Sequence, residues 1–278
     1  MKKRVVLSAN ENPDYWFYFP VVEWIWNKYG WHVDLFVTDE SKIDFIEHTK
    51  LSSKDTSVYI IPSIEGVRTG TLAQVVRHFA SNVLPKEDYI MVQDIDLLPL
   101  RPWEPDTTKK TIYGWELTGR SFIPVHYTGM MGHDWYDIMG CTGDLKADME
   151  REMKANGRAY GAKWEEYWDA DWDILTQKVL ARKNEFTFVP RGMMSIGHCA
   201  TAEGRVDRVS IKVNNETGAY SWGWTLNQPE RIDMHCENNN SASPEKWKMI
   251  RDELIKHHPD LPEWVDGYVR EHHRAHGK

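Results

Sequence analysis

Short apolar runs alternate with amphipathic segments over the first part of the chain. The apolar runs have the length of buried strands and lie at residues 5–9, 33–37, 57–61 and 89–92. Between them, apolar residues recur at helical spacing after Asp14 and from residue 70 to 83, with a weaker pattern at 43–49, and Gly30 is placed as a helix stop. This alternation predicts an α/β fold with a mostly parallel central sheet flanked by helices.

The pattern becomes mixed after Pro99. Here it predicts short strands at residues 111–115, 123–129 and 186–189, helices at 134–139, 145–156 and 174–180, and a hairpin of strands 206–213 and 219–225. From residue 244, amphipathic helices are interrupted by Pro259 and Pro262. No repeat, linker or shift in composition divides the chain, so we expect one domain over residues 1–278.

The composition is that of an ordinary soluble globular protein, with 41% hydrophobic and 27% charged residues. A formal net charge of -8 argues against nucleic acid as a partner, because a phosphate backbone requires a basic surface. No apolar run has the length of a membrane span, and residues 1–4 lead into a predicted strand rather than a signal sequence. Three scattered cysteines suit a reducing compartment, so we expect a cytoplasmic protein.

Two aspartates end the apolar run that begins at Tyr89. Asp94 and Asp96 are two positions apart, so on a strand they point to one face while Ile95 points back to the core. Two carboxylates aimed together repel each other unless a positive group lies between them, and Mg²⁺ or Mn²⁺ prefers oxygen ligands. The pair therefore indicates a divalent metal site. The alternative is a solvated turn, because aspartate is common after strands.

Two further groups of residues are candidates for chemistry. Asp171 and Asp173 precede a helical run, where one acid can be an N-cap and one can be a general base beside a hydroxyl substrate. An oxygen-rich metal site can also accept one imidazole, for which His235 and His198 are the candidates. The residues alone leave both choices open.

Two stretches, residues 72–79 and 84–96, together resemble the nucleotide-sugar glycosyltransferases of the GT-A fold. The members related to glycogenin and to bacterial lipopolysaccharide galactosyltransferases carry an arginine on a helix, then a leucine-proline turn, then a strand ending in D-x-D. This chain has Arg77 on the predicted helix and Leu84-Pro85 before the strand that ends in the aspartate pair. The motifs stand in the family's order.

The resemblance continues to the acid-rich segment 168–175 and to residues 234–236, where the family has a late metal-binding histidine, so that it covers residues 4–247. It implies a single Rossmann-like GT-A domain. Its expected parts are a nucleotide-binding half over about residues 1–100, a donor-sugar and acceptor half over about 101–247, and a C-terminal helical tail over about 244–278.

The resemblance also implies an activity, the transfer of a sugar from a nucleotide-sugar donor, expected to be a UDP-sugar, to a glycan hydroxyl with Mn²⁺ or Mg²⁺. Asp94 would contact the ribose and the metal, Asp96 would ligate the metal, and His235 would be its third ligand. Arg77 would lie beside the donor diphosphate or sugar. The other expected donor-binding positions are at the end of the first strand and inside the D-x-D motif: Ser8, Ala9, Asn10, Glu11 and Ile95.

Asp171 is the first candidate for the general base or for a contact to a sugar hydroxyl, and Asp173 is the second. Retaining members of the family often carry an amide between these two acids, where this chain has Trp172. That departure favours an inverting reaction by direct displacement.

Two other functional classes remain possible. A metal-dependent phosphohydrolase or nucleotidyltransferase would also gather carboxylates at strand ends, although a nucleotidyltransferase would need a glycine-rich basic loop where residues 10–13 stand. A non-catalytic carbohydrate-binding protein would explain the 14 tryptophans. It would not require two aspartates at the end of a buried strand.

Overall fold

The computed structural model describes residues 1–38, 54–102, 104–113, 123, 125–156, 170–189, 205–206, 211–213, 220–222, 233–236 and 244–275. Only the backbone is described at residues 205–206, 211–213, 220–222, 235 and 245–246. The chain divides into two compact units. The first consists of Met1–Asn12, Trp26–Asp94 and Pro105–Pro190, and the second consists of Pro13–Ile25, Ile95–Glu104 and Arg191–Lys278. The single domain over residues 1–278 stays a prediction.

The strands of the described residues are, in chain order, β1 Lys3–Ala9, β2 His32–Val37, β3 Thr56–Ile60, β4 Tyr89–Val92, β5 Leu97–Pro99, β6 Lys110–Tyr113, β7 Thr128–Met131, β8 Phe186–Val189, β9 Arg205–Val206, β10 Ile211–Val213, β11 Tyr220–Trp222 and β12 Asp233–His235. The α-helices are α1 Pro13–Trp16, α2 Phe19–Lys28, α3 Thr69–Val76, α4 Gly132–Ile138, α5 Leu145–Asn156, α6 Ala170–Ala181, α7 Pro244–His257 and α8 Trp264–Ala275. Two 3-10 turns cover Arg77–Asn82 and Lys183–Glu185.

A seven-stranded sheet in the order β3-β2-β1-β4-β7-β6-β8 lies in the first unit. The strands β3, β2, β1 and β4 run parallel, as do β6 and β8, whereas β7 is antiparallel to both of its neighbours. The predicted α/β fold with a mostly parallel sheet is therefore confirmed. All residues of β4, and all but the first of β1 and β2, are buried, as their continuous apolar runs predict.

The helix before β4 changes character where the candidate arginine stands. The helix predicted for residues 70–83 is α-helical over Thr69–Val76 and then continues as the 3-10 turn Arg77–Asn82. It stops before Pro85, because proline disfavours helical backbone in the residue that precedes it. The α3 side chains pack into the core of this unit together with side chains from β1, β4, α4 and α6: Val6, Leu72, Val75, Val76, Val92, Trp135 and Leu175.

The helix predicted after Asp14 is broken into α1 and α2. Pro20, the second residue of α2, lacks an N–H, so it fits the first turn of a helix but not the interior of a longer one. The predicted stop at Gly30 is confirmed. Gly30 has a φ of 76°, and the amide of Trp31 donates to the carbonyl of Trp26 at 3.0 Å, which closes the last turn.

The strand predicted at residues 123–129 is confined to Thr128–Met131. Tyr127, just before it, lies in the left-handed region with a φ of 56°. Its amide donates to the carbonyl of Val92 at 2.9 Å, and its carbonyl accepts from the amide of Tyr113 at 3.1 Å. These bonds to neighbouring segments stabilise a conformation that the local sequence does not favour. The weak helix predicted at 43–49 lies outside the described residues.

The second unit contains a three-stranded sheet in the order β5-β12-β9 and the hairpin of β10 and β11. The described part of the hairpin pairs Ile211–Val213 with Tyr220–Trp222, whereas Val206, predicted as its first residue, pairs with β12 instead. The predicted helical tail is present as α7 and α8, which are separated by the two prolines. Across the described parts of the chain, no helix combines the length and the apolar character that crossing a membrane requires.

Candidate active site

The chain leaves the carboxyl end of β4 at a well-defined point. The amide of Gln93, the first residue after the strand, donates to the carbonyl of Val6 on β1 at 3.1 Å. The side chain of Gln93 is fully buried, and its Oε1 accepts a hydrogen bond from the indole of Trp26 at 2.6 Å. Asp94 follows directly, so the residue before it is fixed both by a backbone bond to the sheet and by a buried side-chain bond.

A buried arginine faces this strand end. Arg77, which is 5% exposed, begins the 3-10 turn after α3. Its Nη1 donates to the carbonyl of Gln93 at 3.0 Å and also to Oδ1 of Asp94. Its Nη2 donates to Oδ2 of Asp171 at 3.0 Å. One guanidinium therefore joins two carboxylates that come from distant parts of the chain.

Asp171 lies in the first turn of α6 and is 1% exposed. Its Oδ1 accepts a hydrogen bond from the amide of Trp172 at 2.9 Å. Burial raises the pKa of Asp171 from 3.8 to about 7; the charge of Arg77 opposes this rise and the charge of Asp94 adds to it. A carboxyl group with a pKa near neutrality, at the ligand-binding edge of a parallel sheet, is typical of a functional site.

The structure distinguishes the two candidate acids of α6. Asp173 is half-buried in the same helical turn as Asp171. Residues two apart on an α-helix are about 200° apart around its axis, so these two side chains do not share a face. The structure thus brings Asp171 to Arg77. Which of the two acids acts on the substrate stays a prediction.

His78 adds no positive charge beside this cluster at neutral pH. His78 follows Arg77 in the chain and is fully buried, with its ring stacked on that of Trp135 at a centroid distance of 5.9 Å. Burial, assisted by the charge of Arg77, lowers the pKa of His78 to about 3. Within this cluster, Arg77 is accordingly shared by Asp94 and Asp171.

The residues predicted to frame the nucleoside lie at the end of β1 and just after it, and their role stays a prediction. Ser8 and Ala9 are the last, buried residues of β1. The hydroxyl of Thr69, at the start of α3, donates to Oε1 of Glu11 at 2.8 Å and accepts from Nδ2 of Asn10 at 3.5 Å. Because β1 and β4 are parallel neighbours, the residues after β1 share a sheet edge with those after β4.

The boundary between the two units falls between Asp94 and Ile95, so Ile95 and Asp96 belong to the second unit. Asp96 is 3% exposed, and its carbonyl accepts a hydrogen bond from the amide of Cys236 at 2.8 Å. The pairing of β12 with β5 sets His235 opposite Leu97. The backbone of the predicted third metal ligand thus runs beside the residues at the end of the motif.

The predicted metal site lies partly outside the described residues. Within them, no three His, Cys, Asp or Glu side chains come together as a metal site. The side chain of His235 and the whole of His198 lie outside them. The carboxylates of Asp94 and Asp96 are hard oxygen donors of the kind that Mn²⁺ and Mg²⁺ prefer. The residues present fit the predicted cation in their chemistry, and the site stays a prediction.

Two features of the site were missed by the sequence analysis. Gln93 was not identified, although an amide between an apolar strand and the D-x-D motif was a visible signal. The ion pair between Arg77 and Asp171 had no such signal, because nothing in the sequence places the end of α3 beside the start of α6.

Comparisons with known proteins identify the fold. No protein-family model matches the chain, and no curated protein matches it. The glycosyltransferase GlyE of Streptococcus pneumoniae TIGR4 is similar with a TM-score of 0.52 and 10% identity, over 97% of this chain and 64% of the GlyE chain. An active-site mutant of LgtC is similar with a TM-score of 0.50 and 10% identity, over 95% of this chain and 99% of that chain. The implied GT-A glycosyltransferase fold is confirmed, and the chain spans less than two thirds of GlyE.

Proposed function

We propose that the protein is a metal-dependent glycosyltransferase that moves a sugar from a UDP-sugar to a hydroxyl of a glycan acceptor. The observation that carries this proposal is the cluster in which buried Arg77 joins buried Asp171 to the partly exposed Asp94. The cluster lies at the carboxyl end of β4, the edge where parallel sheets bind ligands. A fold alone does not define an activity, and it is the ionisable groups at this edge that support one.

The donor would bind along the edge formed by the ends of β1 and β4. Ser8, Ala9, Asn10 and Glu11 would frame the nucleoside, and Ile95 would lie within the donor-binding segment. Asp94 and Asp96 are the residues that would hold the cation, with His235 as a third ligand. When bound, Mn²⁺ or Mg²⁺ supplies positive charge for the diphosphate as the nucleoside diphosphate leaves.

Asp171 would contact the transferred sugar. A general base must lie within hydrogen-bond reach of the incoming hydroxyl. Asp171 is already held by Arg77, which suits a fixed acceptor for a donor-sugar hydroxyl better than a base that must meet an incoming acceptor. The inverting course that Trp172 favours is a separate prediction. Proton NMR of the anomer first formed from the donor tests it.

Calorimetry of UDP binding, with and without Mn²⁺, tests the proposed function. We expect Mn²⁺ to strengthen UDP binding, and Asp96→Ala to remove that effect by deleting a ligand. The matched control is Asp252→Ala, which removes an exposed carboxylate from α7 in the same unit and should leave UDP binding unchanged. UDP binding that is independent of metal and equal in wild type and Asp96→Ala would contradict the proposal.

A turnover assay separates an enzyme from a binding protein. Nucleotide sugars are first screened by thermal shift in Mn²⁺, and those that raise the melting temperature are then incubated with the protein and a panel of glycans. We expect release of UDP, or slow hydrolysis of the donor when no acceptor is suitable. Binding of glycans without release of a nucleotide from any donor would favour a carbohydrate-binding protein.

A further inference from the structure

The guanidinium of Arg77 is already occupied by protein acceptors. Its Nε donates to the carbonyl of Gln74 at 3.3 Å, Nη1 donates to Gln93 and Asp94, and Nη2 donates to Asp171. These bonds use four of its five N–H groups. A phosphate-binding arginine presents its planar fork to the ligand, whereas this fork faces inward, with 5% of the residue exposed.

The acceptors around Arg77 place the two carboxylates relative to one another. The carbonyl of Gln93 anchors the guanidinium to the end of β4, and Gln93 is itself held by the amide and indole bonds to Val6 and Trp26. From that anchored position, the same group reaches Asp94 on the loop and Asp171 on α6. Movement of Arg77 would therefore displace both carboxylates.

We propose that Arg77 is a positioning residue, which acts on the donor through Asp94 and Asp171 and not as a ligand of the diphosphate. This inference rests on the proposed function. It requires a delocalised fork, because a lysine ammonium is a compact point charge that cannot contact the Gln93 carbonyl and both carboxylates in this geometry. A positive charge alone at position 77 would therefore not be sufficient to position both carboxylates.

Double-mutant cycles test this inference on kcat with saturating donor, in Arg77→Met, Asp171→Asn, Asp94→Asn and the two doubles with Arg77→Met. We expect Arg77→Met alone to lower kcat about 100-fold, the size of a small displacement of catalytic groups. In the Asp171→Asn and Asp94→Asn backgrounds, the same change should lower kcat less than about 10-fold, because one of the two carboxylates that Arg77 positions is already gone. Arg77→Lys should not restore the wild-type rate.

A matched control variant is available, and other variants replace Arg77→Met if that protein does not fold. Arg182→Met removes an ion-paired arginine just after α6, which bonds to Asp137 and Glu185, and should leave kcat unchanged. If Arg77→Met does not fold, the double with Asp171→Asn and the single Arg77→Lys remain, since that double removes both members of the buried ion pair.

Two results would overturn the positioning role, and they differ from failure of the proposed function. An equal loss from Arg77→Met in the wild-type, Asp171→Asn and Asp94→Asn backgrounds would show that Arg77 acts on the donor independently. Full activity of Arg77→Lys would show that charge alone is sufficient. If wild type turns over no nucleotide sugar, the proposed function fails and the positioning role fails with it, whereas additive losses in an active wild type reject the positioning role alone.

Discussion

Replacing Asp171 by asparagine should make the protein more stable at neutral and alkaline pH while it lowers activity. The carboxyl group is 1% exposed, and burial raises its pKa from 3.8 to about 7. Because the folded pKa lies above the unfolded one, the folded state keeps the proton between these values while the unfolded state releases it. Wild-type stability therefore falls as pH rises from about 4 to about 7 and is level above that range.

The size of this effect follows from the shift. A difference of about 3 pKa units corresponds to about 4 kcal/mol at pH 8, since each unit is about 1.4 kcal/mol. Asparagine has nothing to ionise, so the stability of Asp171→Asn relative to wild type should increase by about that amount between pH 4 and pH 8. Arg77 keeps Asp94 and the Gln93 carbonyl as acceptors in this variant.

Urea unfolding followed by tryptophan fluorescence at several pH values measures this difference. Asp173→Asn is the matched control, because it removes a carboxylate from the same first turn of α6 and so reports the interaction with the helix dipole. If Asp171→Asn gains no stability relative to wild type between pH 4 and pH 8, then Arg77 keeps Asp171 ionised and burial is not the dominant effect. A gain in stability with a loss of transfer is the trade-off expected of a functional group.

Two further predictions concern the stability of the first unit, and the control for the first of them lies in the second unit. Gly132→Ala should destabilise the protein by about 1–3 kcal/mol, because a Cβ there would lie 2.6 Å from the carbonyl oxygen of Pro85. The control is Gly267→Ala in α8, where the atom nearest to a new Cβ is 4.0 Å away, and this change should stabilise the protein by about 1 kcal/mol. Chemical denaturation measures both, and equal effects would contradict the steric argument. Burial raises the pKa of Asp34 to about 6 against the opposing charge of Arg4, so Asp34→Asn should reduce the loss of stability between pH 4 and 6. An unchanged slope would refute this.

The parallel half of the fold could be predicted because its information is local. Strands buried on both faces are continuous apolar runs, and Gly30 marks the end of α2 through its own backbone freedom. The left-handed conformation of Tyr127 could not be predicted, since hydrogen bonds to Val92 and Tyr113 impose it from other segments. The predicted strand was wrong at that point for the same reason. The local conformational preference of a residue is overridden where hydrogen bonds to neighbouring strands determine its backbone conformation.

The candidate site divides in the same way. The place of Asp94 at the end of β4 follows from an apolar run and the alternation of a strand. Its partnership with Arg77 joins residues 17 apart, and that of Arg77 with Asp171 joins residues 94 apart. Only tertiary packing brings these groups together, and the hydrophobic periodicity of the sequence does not predict such contacts. The pKa of Asp171 depends on that packing and was equally inaccessible.

The two aspartates of the D-x-D motif therefore have different surroundings, although their spacing presents them as a pair. Two carboxylates aimed together need a positive group between them, and a metal ion is the simplest one. For Asp94 the protein itself provides a positive group, the guanidinium of Arg77, which it shares with Asp171. Asp96 is instead tied through its backbone to Cys236, in the strand segment that carries His235. A cation bound by this motif would thus meet one carboxylate that is already partly neutralised. Substituting Asp94 should accordingly change the surroundings of Arg77 and Asp171 as well as metal binding.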